Sequence, residues 1–146
     1  MKVKLDNLNR LILNVKASDE QLKSIGDDII IPDLLSNWNK GRGGDGSVME
    51  SLSPGYAAKK KKAGLKPIPD MKYDGVLRDG MITKKKSEGV YVVTADTNAH
   101  KPKSTNIKIL EYNIDRRPQL LTLSQKMRKD VLTFINKVIL KGVQTA

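Results

Sequence analysis

Side chains that could do chemistry are few in this sequence, and none forms a complete set. Gly41, Gly43 and Gly46 fit the letters of a dinucleotide fingerprint, Gly-x-Gly-x-x-Gly. That fingerprint holds a pyrophosphate only when a strand precedes it and a helix follows, so that backbone N–H groups at the helix start face the phosphates. Here a polar helix end precedes it and a Ser- and Pro-containing loop follows. No Lys-Ser or Lys-Thr pair completes a P-loop there, and the segment reads as a flexible loop. His100 is the only histidine. It stands in Asn98-Ala99-His100-Lys101-Pro102, beside a cation, where no partner orients it as a general base. Asp27 and Asp28 are adjacent, and neighbours on a helix do not share a face. Asp70, Asp74 and Asp79 flank turns, where Asp has ordinary turn chemistry. There are no cysteines, which removes thiol nucleophiles, disulfides, Cys-containing zinc sites and iron–sulfur clusters together. It also suits a protein made in a reducing cytoplasm. No catalytic residue, cofactor site or metal ligand is assigned, and the expected class is non-enzymatic.

Basic clusters are the remaining chemistry. Lys59, Lys60, Lys61 and Lys62 form one run, Lys84, Lys85 and Lys86 a second, and Arg116 and Arg117 a pair. Lys101 and Lys103 are a looser group. Such clusters can contact phosphates or an acidic protein face. The plain alternative is a set of solvated faces. Tyr56, Tyr91 and Tyr112 lie near the clusters without interleaving, so stacking of single-stranded bases has little support. The net charge is +11, from 27 Lys and Arg against 16 Asp and Glu, and its field favours anionic partners. No stretch approaches the ~18 apolar residues of a membrane span. Met1 to Asp6 is charged and lacks the apolar run of a signal peptide.

The elements that would carry these residues follow from pattern. The 146 residues suit a single domain, 1–146. A hydrophobic fraction of 38% with 4% aromatic residues suggests part core and part solvated loop, with some order supplied by neighbouring subunits. Val3 to Val15 reads as a short strand running into a helix. Ser18 with Gln21 has capping-box spacing. Leu22, Ile25, Ile29, Ile30, Leu34, Leu35 and Trp38 then form a helical stripe that Pro32 should break or kink. A flexible loop is expected near 40–53. A helix over Pro54–Ala63 should end at Gly64. Ile82-Thr83 and Val90–Thr94 read as a hairpin around a Lys84–Gly89 loop. A second flexible, protruding loop is expected near 95–106, and a third strand over Ile107–Tyr112. The last helix should be capped by a Thr122–Gln125 box. Its face is Met127, Val131, Phe134, Ile135, Val138 and Ile139, and Gly142 is its stop. The fold class is α+β: a small antiparallel sheet with a β-hairpin, packed against N-terminal helices and a C-terminal amphipathic helix.

The order of several short motifs adds to this. Tyr56-Ala-Ala-Lys-Lys-Lys-Lys-Ala-Gly64 leads to Pro67-Ile-Pro-Asp70, then to Tyr73-Asp74-Gly75-Val76-Leu77, a hairpin, and a strand ending at Tyr112. Arg117-Pro118-Gln119-Leu120-Leu121-Thr122-Leu123-Ser124 then opens the final helix. This succession, over roughly residues 54–142, resembles the tail-completion and virion-morphogenesis proteins of tailed bacteriophages, which are small head–tail joining or minor tail proteins. The resemblance implies a ring-forming subunit of the tail or neck that acts in assembly. It would be made in the bacterial host cytoplasm and carried in the virion. Its partners would be further copies of itself and the phage connector, neck or tail-tube proteins, with no membrane.

In such a ring some lysines would face a channel through which DNA slides, so contacts would be weak, non-specific and made to phosphates. Lys84–Lys86 at the hairpin tip are the first choice for them. Lys59–Lys62 are second, and could instead meet acidic surfaces of neighbouring proteins. The alternative function is a basic, non-sequence-specific nucleic-acid-binding protein. It uses the charge but leaves the succession of motifs unexplained.

Overall fold

The computed structural model describes residues 17–72, 76–97, 99–101 and 104–140. The strand-to-helix reading of Val3–Val15, the Tyr73–Gly75 turn, Lys103 and the Gly142 stop lie outside the described residues. Ser18 starts the first helix as its spacing predicts. Its Oγ accepts from the Gln21 N–H at 3.1 Å while the Gln21 side chain accepts from the Ser18 N–H at 2.9 Å, which satisfies two donors that a helix start would otherwise strand. Helix α1 spans Asp19–Ser24 and passes into a π-helical turn, Ile25–Ile30, and then helix α2, Ile31–Trp38. Pro32 does not break this path. The turn before it is widened so that the Ile31 N–H bonds the Gly26 carbonyl five residues back. Pro32 sits in the first turn of α2, where a missing N–H costs least.

The loop after α2, read from sequence as a flexible segment near 40–53, is packed against the fold. Met49 is buried, as are Gly41, Gly43 and Gly44. The Gly44 N–H donates to the carbonyls of Gln119 and Leu120 at 2.9 and 3.1 Å. A Cβ at Gly44 would collide with the Thr122 carbonyl and the Leu34 side chain, so glycine is needed there for close backbone approach. Helix α3, Pro54–Lys62, begins on its proline and closes in a Schellman motif. The Leu65 N–H returns to Lys60 O and the Gly64 N–H to Lys61 O, with Gly64 at φ +73°.

A short helix α4, Val76–Asp79, leads into strands β1, Met81–Ser87, and β2, Val90–Ala95, paired antiparallel from Met81↔Ala95 to Ser87↔Val90. The predicted hairpin is present, but its lysines are in β1 and the turn is Glu88-Gly89. The 95–106 region, expected to protrude, carries a second small antiparallel pair, β3 Ala99–Lys101 with β4 Ser104–Thr105. Its ends tie back to the fold. The Asp96 N–H donates to Gly80 O at 2.8 Å, and the Asn106 amide donates to Asp96 Oδ1 at 2.6 Å.

The predicted third strand is a helix. Ile107–Tyr112 lies within α5, Asn106–Arg116, and the Thr105 hydroxyl caps it by accepting from the Lys108 N–H. The inward face of α5 is mixed: Asn106 and Leu110 are buried, and Ile107, Ile109, Asn113 and Ile114 are partly buried. Ile107, Leu110 and Ile114 keep the i, i+3, i+7 spacing of a helix and are buried or partly buried, but the β-branched alternation of Ile107 and Ile109 reads as a strand over a short window. The strand ending at Tyr112 is thereby removed from the succession that carried the phage resemblance.

A 3₁₀ turn, Pro118–Leu121, links α5 to helix α6, Gln125–Phe134, which continues into a π-helical turn, Ile135–Leu140. Ser124 caps α6 by accepting from the Met127 N–H at 3.0 Å. Thr122 does not: it is the extended residue that ends the 3₁₀ turn, and the helix begins only at Gln125. On the last helix Met127, Val131 and Ile135 are buried as predicted. Phe134 is only half-buried at the edge of that face, and Val138 is exposed.

One core joins α2, Met49, α4, the hairpin, α5 and the 3₁₀ turn around Trp38, Leu34, Leu110, Leu120 and Met127. The Trp38 indole N–H donates to Leu120 O at 3.1 Å, so the largest buried side chain has its one donor satisfied. A satellite cluster packs Ile25 against Val131 and Ile135. The architecture is α+β, as the pattern predicted. Among the described residues no helix is long and apolar enough to cross a membrane.

Candidate functional site

The basic residues singled out from sequence separate into three groups. Lys60 is buried, with its ammonium bound to Asp70 and to the Ile68 carbonyl at 2.8 Å. Both partners lie in the Pro67–Asp70 segment, which folds back beneath α3. Lys60 is therefore an internal brace and cannot reach a phosphate as its place in the run suggested. Arg117 is buried as well, 7% exposed, and reaches the surface only at the cleft it lines. Lys59, Lys61, Lys62, Lys84, Lys85, Lys86 and Arg116 are exposed.

Among the exposed ones, Lys61, Lys62, Lys84 and Lys86 have no ion-pair partner among the described residues. Lys85 pairs with Asp19 of α1 at 2.7 Å and with Glu88 at 3.2 Å. The hydrogen bond it donates to Asp19, then that to Glu88, raises its pKa above the ordinary lysine value. Arg116 donates to the Tyr112 hydroxyl at 2.6 Å and lies 5.6 Å from that ring's centroid, within cation–π range.

The fold brings two of these groups to one place. A cleft of about 660 Å³ opens between residues 50–53, α3, the 68–72 segment and α5, a size typical of ligand-binding clefts. Its cations are Lys59, Lys60, Lys72, Arg116 and Arg117, and Glu50 is the only acid among its lining residues. Tyr56 and Tyr112 stand at its rim, 42% and 59% exposed. The Arg116–Arg117 pair was visible in the sequence. Its meeting with α3 was not, because nothing local ties residues 50–60 to residues 109–117.

Arg117 is the unusual member. Its Nη1 donates to Asn113 Oδ1 and its Nη2 to the Glu50 carbonyl, each at 3.4 Å, and its Nε is buried without a hydrogen-bond partner. Both contacts are at the outer edge of hydrogen-bond distance.

Lys84–Lys86 and Lys59–Lys62 belong to different surfaces. The former line β1 next to α1, and the latter line α3, with Lys59 and Lys60 at the cleft. Among the described residues no group of three or more His, Asp or Glu could hold a metal ion. His100 falls on strand β3. Comparisons with protein-family models, with curated proteins and with solved structures return no match to this chain.

Proposed function

We propose that this chain is a structural assembly protein of a tailed-phage virion, a ring-forming subunit that acts in tail completion or head–tail joining. The observation that carries the reading is the behaviour of the Arg117–Ser124 segment, the most distinctive of the motifs behind the resemblance. Leu120 is fully buried, and its carbonyl accepts from Trp38 and Gly44. Ser124 then caps the last helix. A motif that opens the final helix in the resembling proteins thus opens it here, from the middle of the core. The Tyr56–Gly64 helix and the hairpin also fall where that succession needs them. The lost strand at Ile107–Tyr112 weighs against the reading but leaves its later half intact.

The test is the size of the assembly. Light scattering on the purified chain, alone and with connector and tail-tube proteins, is expected to give a closed particle of several copies. A strict monomer under every condition overturns the proposal.

A second reading, non-specific nucleic-acid binding, has one observation in its favour. Lys84 and Lys86 are exposed cations without ion-pair partners among the described residues. On either reading, affinity for unrelated duplexes should be equal across sequences and fall steeply with salt. Tight, salt-resistant and sequence-selective binding would remove the assembly reading of these lysines.

A further inference from the structure

We propose that the cleft between α3 and α5 binds an extended segment of a partner protein carrying a carboxylate flanked by apolar residues, and that Arg117 takes the carboxylate. The inference uses only the cleft and does not depend on the virion reading.

Arg117 is the starting point. It is 7% exposed, no carboxylate among the described residues pairs with it, and its Nε has no acceptor. A guanidinium keeps its charge in proteins, and a buried charge left unpaired is costly. The same wall contains the opposite case, Lys60, which Asp70 neutralises. Among the described residues Arg117 therefore has no anion, and its planar fork suits a carboxylate bound through two oxygens. Lys72 and Arg116, both exposed, stand at the same cleft and would draw such a segment in.

The walls decide between kinds of anion. Leu52, Ile68, Pro69, Met71 and Ile109 line the cleft. Aliphatic walls offer a phosphate backbone nothing, and bases stack on aromatic faces. The ring of Tyr112 is already engaged by Arg116. Leucine- or proline-like side chains beside a carboxylate would use both the walls and the cation.

The experiment follows the Arg117 Nε–H resonance of the ¹⁵N-labelled full chain. Three probes are titrated: a short peptide of Glu, Leu and Pro, the same peptide with Gln for Glu, and an unrelated DNA duplex. The Glu peptide is expected to shift the resonance saturably and the Gln peptide to leave it in place. Arg117→Lys, followed through the backbone amides of residues 50–53 and 109–116, should weaken binding by about tenfold, the scale of one charge-assisted hydrogen bond. Lys72→Ser with Arg116→Ser, both at exposed positions, should weaken it several-fold and more so at low salt. This pair carries the test if Arg117→Lys does not fold. The proposal is overturned if the Glu peptide leaves the resonance unmoved, if the Gln peptide binds as well, or if the exposed pair has no effect. It is also overturned if the duplex shifts the resonance at lower concentration than the peptide, which would assign the cleft to a phosphate backbone.

Discussion

Lys59–Lys62 and Lys84–Lys86 are the same kind of sequence and meet different fates. On α3 the helical turn carries Lys60 inward to 2% exposure, onto Asp70 and the Ile68 carbonyl, while its neighbours stay in solvent. Along β1 all three lysines are exposed, and Lys85 alone is drawn sideways to Asp19 and Glu88. The difference lies in the partners. Asp70 is buried with Lys60, whereas Asp19 and Glu88 meet Lys85 at the surface, where solvent and salt weaken an ion pair. A run of like charge is therefore not one functional unit. One of its members can belong to the architecture while the rest stay available for binding.

The largest effect expected from this contrast is at the buried pair. Asp70→Ala strands the Lys60 ammonium away from water and should cost about 3–5 kcal/mol in chemical denaturation. Lys60→Met combined with Asp70→Leu removes both charges and should recover most of that loss. If Asp70→Ala alone changes stability by less than about 0.5 kcal/mol, burial is not what separates the two runs.

A smaller effect is expected at Lys85. Its folded pKa is raised from 10.5 by Asp19 first and Glu88 second. A raised folded pKa gives stability that is fully present below the unfolded value and is lost as pH rises through the folded one. Melting temperature should therefore fall as pH rises above 10.5, and Lys85→Gln should make that fall shallower while adding salt shrinks the difference. An identical alkaline profile for the variant would show that the surface pair contributes nothing.

The smallest effect is expected at the partnerless lysines. Lys61→Ser, Lys62→Ser, Lys84→Ser and Lys86→Ser should each leave the unfolding free energy within about 0.5 kcal/mol of the parent. A loss above about 1 kcal/mol at any of them would place that lysine with Lys60 rather than with the solvated group.

Much of the fold was legible because its signals are local. Ser18 and Gln21 are three residues apart and cap each other. Gly64 follows α3 at the position where a left-handed residue closes a helix. Val90 to Thr94 is rich enough in β-branched residues to define a strand, and Met127, Val131 and Ile135 recur at helical spacing. Each depends on contacts within about one or two turns of chain, and so appears as a short pattern. The identity of α5 was hidden because the alternation of Ile107 and Ile109 resembles a strand while two of its inward residues, Asn106 and Asn113, are polar, and the Thr122–Gln125 cap was displaced to Ser124 by a 3₁₀ turn that no spacing rule marks.

By itself the sequence determined the charge, the absence of thiol chemistry, the α+β class and the ends of its clearest helices. These follow from composition and from hydrogen bonds between near neighbours. Tertiary structure alone decided that the glycine loop is packed against residues 119–122, that Lys60 is a brace and Arg117 a buried cation with no carboxylate partner among the described residues, and that residues 50–72 and 109–117 enclose one cleft. The physical reason is distance along the chain. Glu50 and Arg117 are 67 residues apart and Trp38 and Leu120 are 82 apart. Burial and pairing across such separations depend on how whole elements pack, which no window of neighbouring residues contains.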